Sequence, residues 1–160
     1  MKLKVKDVMV QDYVTIRPTA LVSEAARQIY EGRVRETGYK PLGIMVTDEI
    51  GRLIGMISMM GILYHVRPTF MNFQTESTPA LQGELDFHLE QFNELRVGQI
   101  MSTPVFTVAP EDDLFVVIDQ LVKKRVRRLP VVERGKIVGI VYLSDVFHAL
   151  YESWLQPKKV

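Results

Sequence analysis

Two stretches of this chain repeat each other, and that duplication limits the possible folds more than any other feature of the sequence. Val5-Lys6-Asp7-Val8-Met9 returns as Val97-Gly98-Gln99-Ile100-Met101, and Thr15-Ile16-Arg17-Pro18 as Thr107-Val108-Ala109-Pro110, both 92 positions later. Gly51-Arg52-Leu53-Ile54-Gly55-Met56-Ile57-Ser58 returns as Gly135-Lys136-Ile137-Val138-Gly139-Ile140-Val141-Tyr142 after 84 positions. A unit written twice predicts a pseudo-symmetric module with sites between its halves. The copies are unequal. Three positions past the last matched segment, the second copy has Asp145 where the first has Gly61. A carboxylate in one half only points to one fully equipped site.

Hydropathy divides both copies in the same order. The first predicts a helical turn around Lys4 to Val8 and an extended piece at Tyr13 to Ile16, closed by Pro18. A helix from Ala20 to about Glu31 follows, with Thr19 as N-cap and an apolar stripe of Val22, Ala25, Ala26 and Ile29. After a loop at Arg33 to Leu42, Gly43 to Val46 and Leu53 to Ile57 flank a turn and read as a β-hairpin. A helix from Met59 to about His65 ends the unit.

The second copy repeats the plan. Val105 to Val108 is extended, and Glu111, Asp112 and Asp113 favour the dipole of a helix running to about Lys124. Leu129 to Val132 and Ile137 to Val141 form the hairpin, and a last helix runs from near Ser144 to about Trp154. The fall in offset from 92 to 84 gives the first copy eight extra residues, placed between helix and hairpin and in the turn. Boundaries follow at 1–66 for the first unit, 67–95 for a linker and 96–160 for the second. In the linker, Arg67 to Ala80 is irregular, while Leu85, Leu89, Phe92 and Leu95 suit an amphipathic helix over Leu81 to Leu95. A connection this long is expected to pack on the module or on a partner subunit.

Bulk properties exclude several function classes. A net charge of +1 gives no field to draw nucleic acid or an anionic membrane. The absence of cysteine removes disulfides, thiol nucleophiles and thiolate metal sites. His65, His88 and His148 lack metal-ligand spacing, and no Gly-rich phosphate loop or nucleophile motif is present. The N-terminus has basic residues without the apolar run of a signal peptide, and no stretch approaches the roughly 18–20 apolar residues of a membrane span. A soluble, cytoplasmic protein without enzymatic activity is the expectation.

Taken in order, Val97-x-x-Ile100-Met101, Thr107-Val108-x-Pro110, Arg128-Leu129-Pro130-Val131-Val132 and Gly139-Ile140-Val141-x-x-x-Asp145 resemble a CBS (cystathionine-β-synthase) domain. The first copy resembles it more loosely, through Val5-x-x-Val8-Met9, Thr15-Ile16-x-Pro18 and Gly51-x-Leu53-Ile54-Gly55-Met56-Ile57-Ser58. The resemblance spans about residues 4–66 and 96–152. It implies an α/β (α+β) fold of two β-α-β-β-α CBS units about a pseudo-twofold axis. It also implies an adenosine-containing ligand (AMP, ADP, ATP or S-adenosylmethionine) between the units, a disc-like homodimer, and regulation of a partner enzyme or transporter. No catalytic cofactor and no metal are implied.

The resemblance assigns roles that the residues can fill chemically. Asp145 falls at the family's ribose position, where a carboxylate accepts from both vicinal hydroxyls, and Ser144 can add a hydrogen bond. A helix-capping aspartate is the plainer alternative. Arg127 and Arg128 precede the hairpin, where family members place phosphate contacts; a solvated helix end accounts for them equally. Thr15, Ile16 and Pro18 would line the opposing wall, with Ile16 and Ile57 sandwiching adenine and Ser58 adding a hydroxyl. Core packing is the competing reading for both isoleucines. Tyr142 departs from the small Ser or Thr of the family and either stacks on a base or blocks the cleft. The leading reading is a nucleotide-binding regulatory pair; the alternative is a structural dimerisation module whose site is vestigial.

Overall fold

The computed structural model describes residues 2–35, 37–68 and 84–156. The first copy folds as α1 (Val5–Val8), β1 (Thr15–Ile16), α2 (Val22–Tyr30), β2 (Gly43–Thr47), β3 (Leu53–Ser58) and α3 (Met59–Val66). A connecting helix, α4 (Leu85–Phe92), leads into α5 (Val97–Ile100), α6 (Leu114–Lys124), β4 (Arg128–Glu133), β5 (Lys136–Tyr142) and α7 (Leu143–Leu155). This is the mixed α/β pattern that the repeat predicts.

β1 lies parallel to β2, and β2 antiparallel to β3, with Gly43 opposite Ser58 and Met45 opposite Met56. In the second unit β4 and β5 pair with Arg128 opposite Tyr142 and Pro130 opposite Ile140. The extended segment expected at Val105 to Val108 contributes a single parallel bridge, Val108 to Val131. Pro130 stands where β2 has Met45, and it has no N–H to give a neighbouring strand.

The unit boundary is crossed in a way the repeat did not announce. α1 packs on the second unit and α5 on the first. Val5 joins the second unit's core of Val108, Leu114, Val117, Leu121, Leu129, Val131, Val141 and Val146. Val97 and Ile100 join Ile16, Val22, Ala25, Ile29, Ile44, Val46 and Ile57. Each exchanged valine is fully buried, worth roughly 1.5–3 kcal/mol apiece.

Matching backbone bonds fix both exchanges. Val5 N–H donates to the Asp112 carbonyl at 3.0 Å and Leu114 N–H to that of Leu3 at 3.0 Å. On the other side, Val97 donates to Ala20 at 2.8 Å and Val22 to Leu95 at 2.9 Å. Val10 and Ile140 exchange both backbone bonds, as do Ser102 and Met56. The pseudo-twofold axis is written in these pairs. They also explain why α2 begins at Val22 rather than Ala20, with Leu21 and not Thr19 at its N-cap. Thr19 lies in a turn closed by Ala20 N–H to the Arg17 carbonyl at 3.1 Å, and Leu21 bridges Arg96 just ahead of the helix.

Two glycines let the exchanged turns seat. A Cβ on Gly55 would lie 2.5 Å from the Met101 sulfur, and one on Gly139 2.9 Å from that of Met9. α4 is shorter than the expected Leu81–Leu95 helix; Phe92 and Leu95 pack on the first unit's core. The irregular stretch expected up to Ala80 lies beyond Pro68, outside the described residues. Among the described residues no helix is long and apolar enough to cross a membrane.

Candidate functional site

The asymmetry of the copies becomes physical at the ends of the two hairpins. Twelve residues, 31–42, connect α2 to β2, whereas three, 125–127, connect α6 to β4. The long loop crosses to the second unit. There Arg35 Nη1 donates to Asp145 Oδ2 at 2.5 Å and Nη2 to Ser144 Oγ at 3.3 Å. The guanidinium also lies 4.3 Å above the centre of the Tyr142 ring, a cation–π stack in a desolvated position.

Asp145 is 6% exposed, on the first turn of α7. A carboxylate so deep requires a counter-charge, and Arg35 supplies it. The pairing is incomplete. Among the described residues, Asp145 Oδ1, Arg35 Nε and Thr37 Oγ1 are buried without hydrogen-bond partners, although buried polar atoms are ordinarily satisfied. Burial pushes the Tyr142 phenol up, against the pull of the Arg35 and Arg128 cations.

Two cavities meet at this arginine. One, about 340 Å³, has apolar walls from Val14, Ile29, Met45 and Ile140 together with Tyr13 and Tyr142. The other, about 490 Å³, is lined by Val8, Val10, Val34 and Ala149 together with Asp7, Thr37, Asp145 and His148. Asp12, Arg33 and Arg35 line both.

The pseudo-symmetric position holds a different cleft, of about 310 Å³, formed by Met56, Ser58, Met59, Met60, Ser102 and the 104–106 and 125–129 segments. Gly61 here takes the place of Asp145. Its N–H donates to Ser58 Oγ at 3.0 Å, so that hydroxyl caps α3. Arg125, Arg127 and Arg128 line the cleft, and no carboxylate among the described residues stands in its wall. Among the described residues none of the three makes an ion pair. Burial, reinforced by the Arg127 charge, depresses the Arg128 pKa against the opposing pull of Tyr142. The Arg128 guanidinium lies where a side chain on Gly43 would be, 2.7 Å from that virtual Cβ.

The residues singled out in the sequence are therefore divided. Asp145, Ser144 and Tyr142 come together. Arg127, Arg128 and Ser58 face the other cleft, because each hairpin's first strand lines the cleft opposite its own last helix. Ile16 and Ile57 are buried in the first unit's core, and Thr15 is exposed on β1. Pro18 packs on Gly98, at the α5 exchange. The wall expected from Thr15, Ile16 and Pro18 comes instead from Asp12, Tyr13 and Val14, just upstream. Arg35 was not singled out. The signal that could have found it is the eight-residue excess of the first copy, which had to cover something.

The profile of the CBS domain family matches residues 5–67 and 97–152. The chain belongs to the CBS domain family, as a tandem pair. A methylated protein of Methanocaldococcus jannaschii is 23% identical over 99% of this chain and 79% of its own length. The crystal structure of the CBS-pair protein CBSX2 from Arabidopsis thaliana superposes with a TM-score of 0.73 at 24% identity, over 96% of this chain and 97% of that one. A structure of CBSX2 in complex with AMP gives a TM-score of 0.67 at 24% identity, covering 94% and 97%.

Proposed function

We propose that the chain is a regulatory CBS pair that binds an adenosine-containing nucleotide in the cleft of Asp145. The observation that carries this is the convergence there of a buried carboxylate, a largely buried guanidinium and a threonine hydroxyl, each with a polar atom unpartnered among the described residues, beside a cavity walled in part by Tyr13, Met45, Ile140 and Tyr142. Asp145 Oδ1 accepts a ribose hydroxyl, Ser144 a second polar contact, and Tyr142 with Ile140 and Met45 offers apolar surface to the base. The AMP complex of a structural relative supports the ligand class. Binding links β5 and α7 of the second unit to the 31–42 loop of the first, so it favours one relative arrangement of the units, which a partner enzyme or transporter reads.

The arginine-lined cleft takes the phosphate-contacting role foreseen for Arg127 and Arg128, without a carboxylate for a ribose. Self-association follows from exposed apolar side chains along the paired helices: Tyr30, Met60 and Leu63 on α2 and α3, Phe147, Tyr151 and Trp154 on α7. The reading is of a binding module and not of a catalyst.

Thermal denaturation with AMP, ADP, ATP and S-adenosylmethionine tests the proposal. A ligand at 100-fold excess over its Kd stabilises by about 2.7 kcal/mol. No shift with any of the four at millimolar concentration refutes it and favours a purely structural pair. Light scattering that shows a monomer at high concentration refutes the dimer.

A further inference from the structure

Arg35 stands where a nucleoside has to pass. The cavity walled by the Tyr142 ring and the cavity holding Asp145 share only Asp12, Arg33 and Arg35 among their lining residues. A ligand that places its base against Tyr142 and its ribose on Asp145 occupies the space between, which the guanidinium now fills. Resting on the nucleotide reading above, we infer that Arg35 sets the specificity of this cleft, restricting it to nucleoside phosphates and rejecting the neutral nucleoside.

Binding a nucleoside here is an exchange of partners. Arg35 holds Asp145 Oδ2 through a charge-assisted hydrogen bond, leaving only Oδ1 for a ligand. A two-point grip on a vicinal diol needs both oxygens, so the arginine must leave. Neutral adenosine returns two hydroxyl hydrogen bonds to the carboxylate and nothing to the displaced cation. A buried guanidinium without an anion is costly. A phosphate replaces the lost carboxylate with another anion, bound by the same planar fork. Arg33, on the same loop and lining the same two cavities, adds a second positive group.

Titration calorimetry with AMP and adenosine, on the wild-type chain and on Arg35→Ala, tests this, with Arg35→Gln as a size-conserving second variant should the alanine form fold poorly. The wild type is expected to prefer AMP by about tenfold or more, the worth of one charge-assisted contact. In the variants adenosine binds about tenfold more tightly and the preference for AMP collapses. Adenosine binding that appears only in the variants also supports the gate. An unchanged AMP-to-adenosine ratio overturns the role of Arg35 and leaves the nucleotide proposal standing. Failure of both ligands on every form overturns both.

Discussion

In the cleft beside α7, Asp145 faces Arg35, Ser144 lies within reach of the same guanidinium, and Asp7, Asp12 and Arg33 complete the charged lining. In the matching cleft beside α3, Gly61 replaces the carboxylate, and three arginines face Ser58 and the methionines of β3 and α3. The two are built from equivalent strands and equivalent helix starts, and backbone bonds related by the repeat hold both in place. What separates them is Asp145 against Gly61, Tyr142 against Ser58, the three arginines of the second cleft, and one loop. The difference shows how a duplicated fold divides labour: the framework remains symmetric while a carboxylate and its covering loop develop on one side only.

The largest way to break this comparison is to remove its carboxylate. Asp145→Ala leaves Arg35 buried and unpaired and is expected to cost about 3–5 kcal/mol in urea denaturation. Gly61→Ala, at the matching position, is expected to change stability by less than about 1 kcal/mol, since helix propensity gains against mild crowding at the Ser58 hydroxyl. Equal effects at the two positions would refute the asymmetry.

A smaller test concerns the frame the clefts share. Gly139→Ala brings a methyl against the Met9 sulfur and, at 3.0 Å, the Val10 carbonyl oxygen. Because backbone cannot swing aside as a methionine can, a loss of about 1–3 kcal/mol is expected, measurable by the same denaturation.

In the second cleft, Arg128→Gln removes a half-buried cation that has no ion-pair partner among the described residues. It is expected to leave stability unchanged or raise it slightly, by up to about 1 kcal/mol. It should also diminish any stabilisation by phosphate over chloride at equal ionic strength. A marked loss of stability would show that Arg128 is a structural group.

The smallest effect is at the α1 exchange. Hydrogen bonds from the Lys4 and Lys6 ammonium groups hold the Glu111 carboxyl down at about 2, from an ordinary 4.5. Because the folded value is the lower one, the stabilisation is present above the ordinary value and is lost as pH falls toward 2. Wild type and Glu111→Gln should differ slightly near neutrality and converge in acid, and high salt should shrink the gap at this exposed pair.

Much of the framework could be read from the sequence, because periodicity and repetition report local structure directly. The two hairpins, α2, α3, α6 and α7 all fall near their expected places. The exchange of α1 and α5 could not be read, since Val5 and Val97 show that they are buried but not against which unit. The same limit applies to the site. Asp145 and Ser144 are close in sequence and were found together. Arg127, Arg128, Ser58, Ile16 and Ile57 were assigned to that cleft from patterns that do not reveal which face of a crossing strand points where. Arg35 comes to Asp145 across 110 residues, through a loop without periodicity, and only its extra length marked it.

The central claim is that one of the two clefts is a nucleotide site and that Asp145 makes it so. Titration calorimetry with AMP on the wild type, Asp145→Ala and Gly61→Ala tests it most directly. The account predicts one nucleotide per chain, abolished by Asp145→Ala and retained in Gly61→Ala. Two equivalent sites, or binding that survives the loss of Asp145, would contradict it.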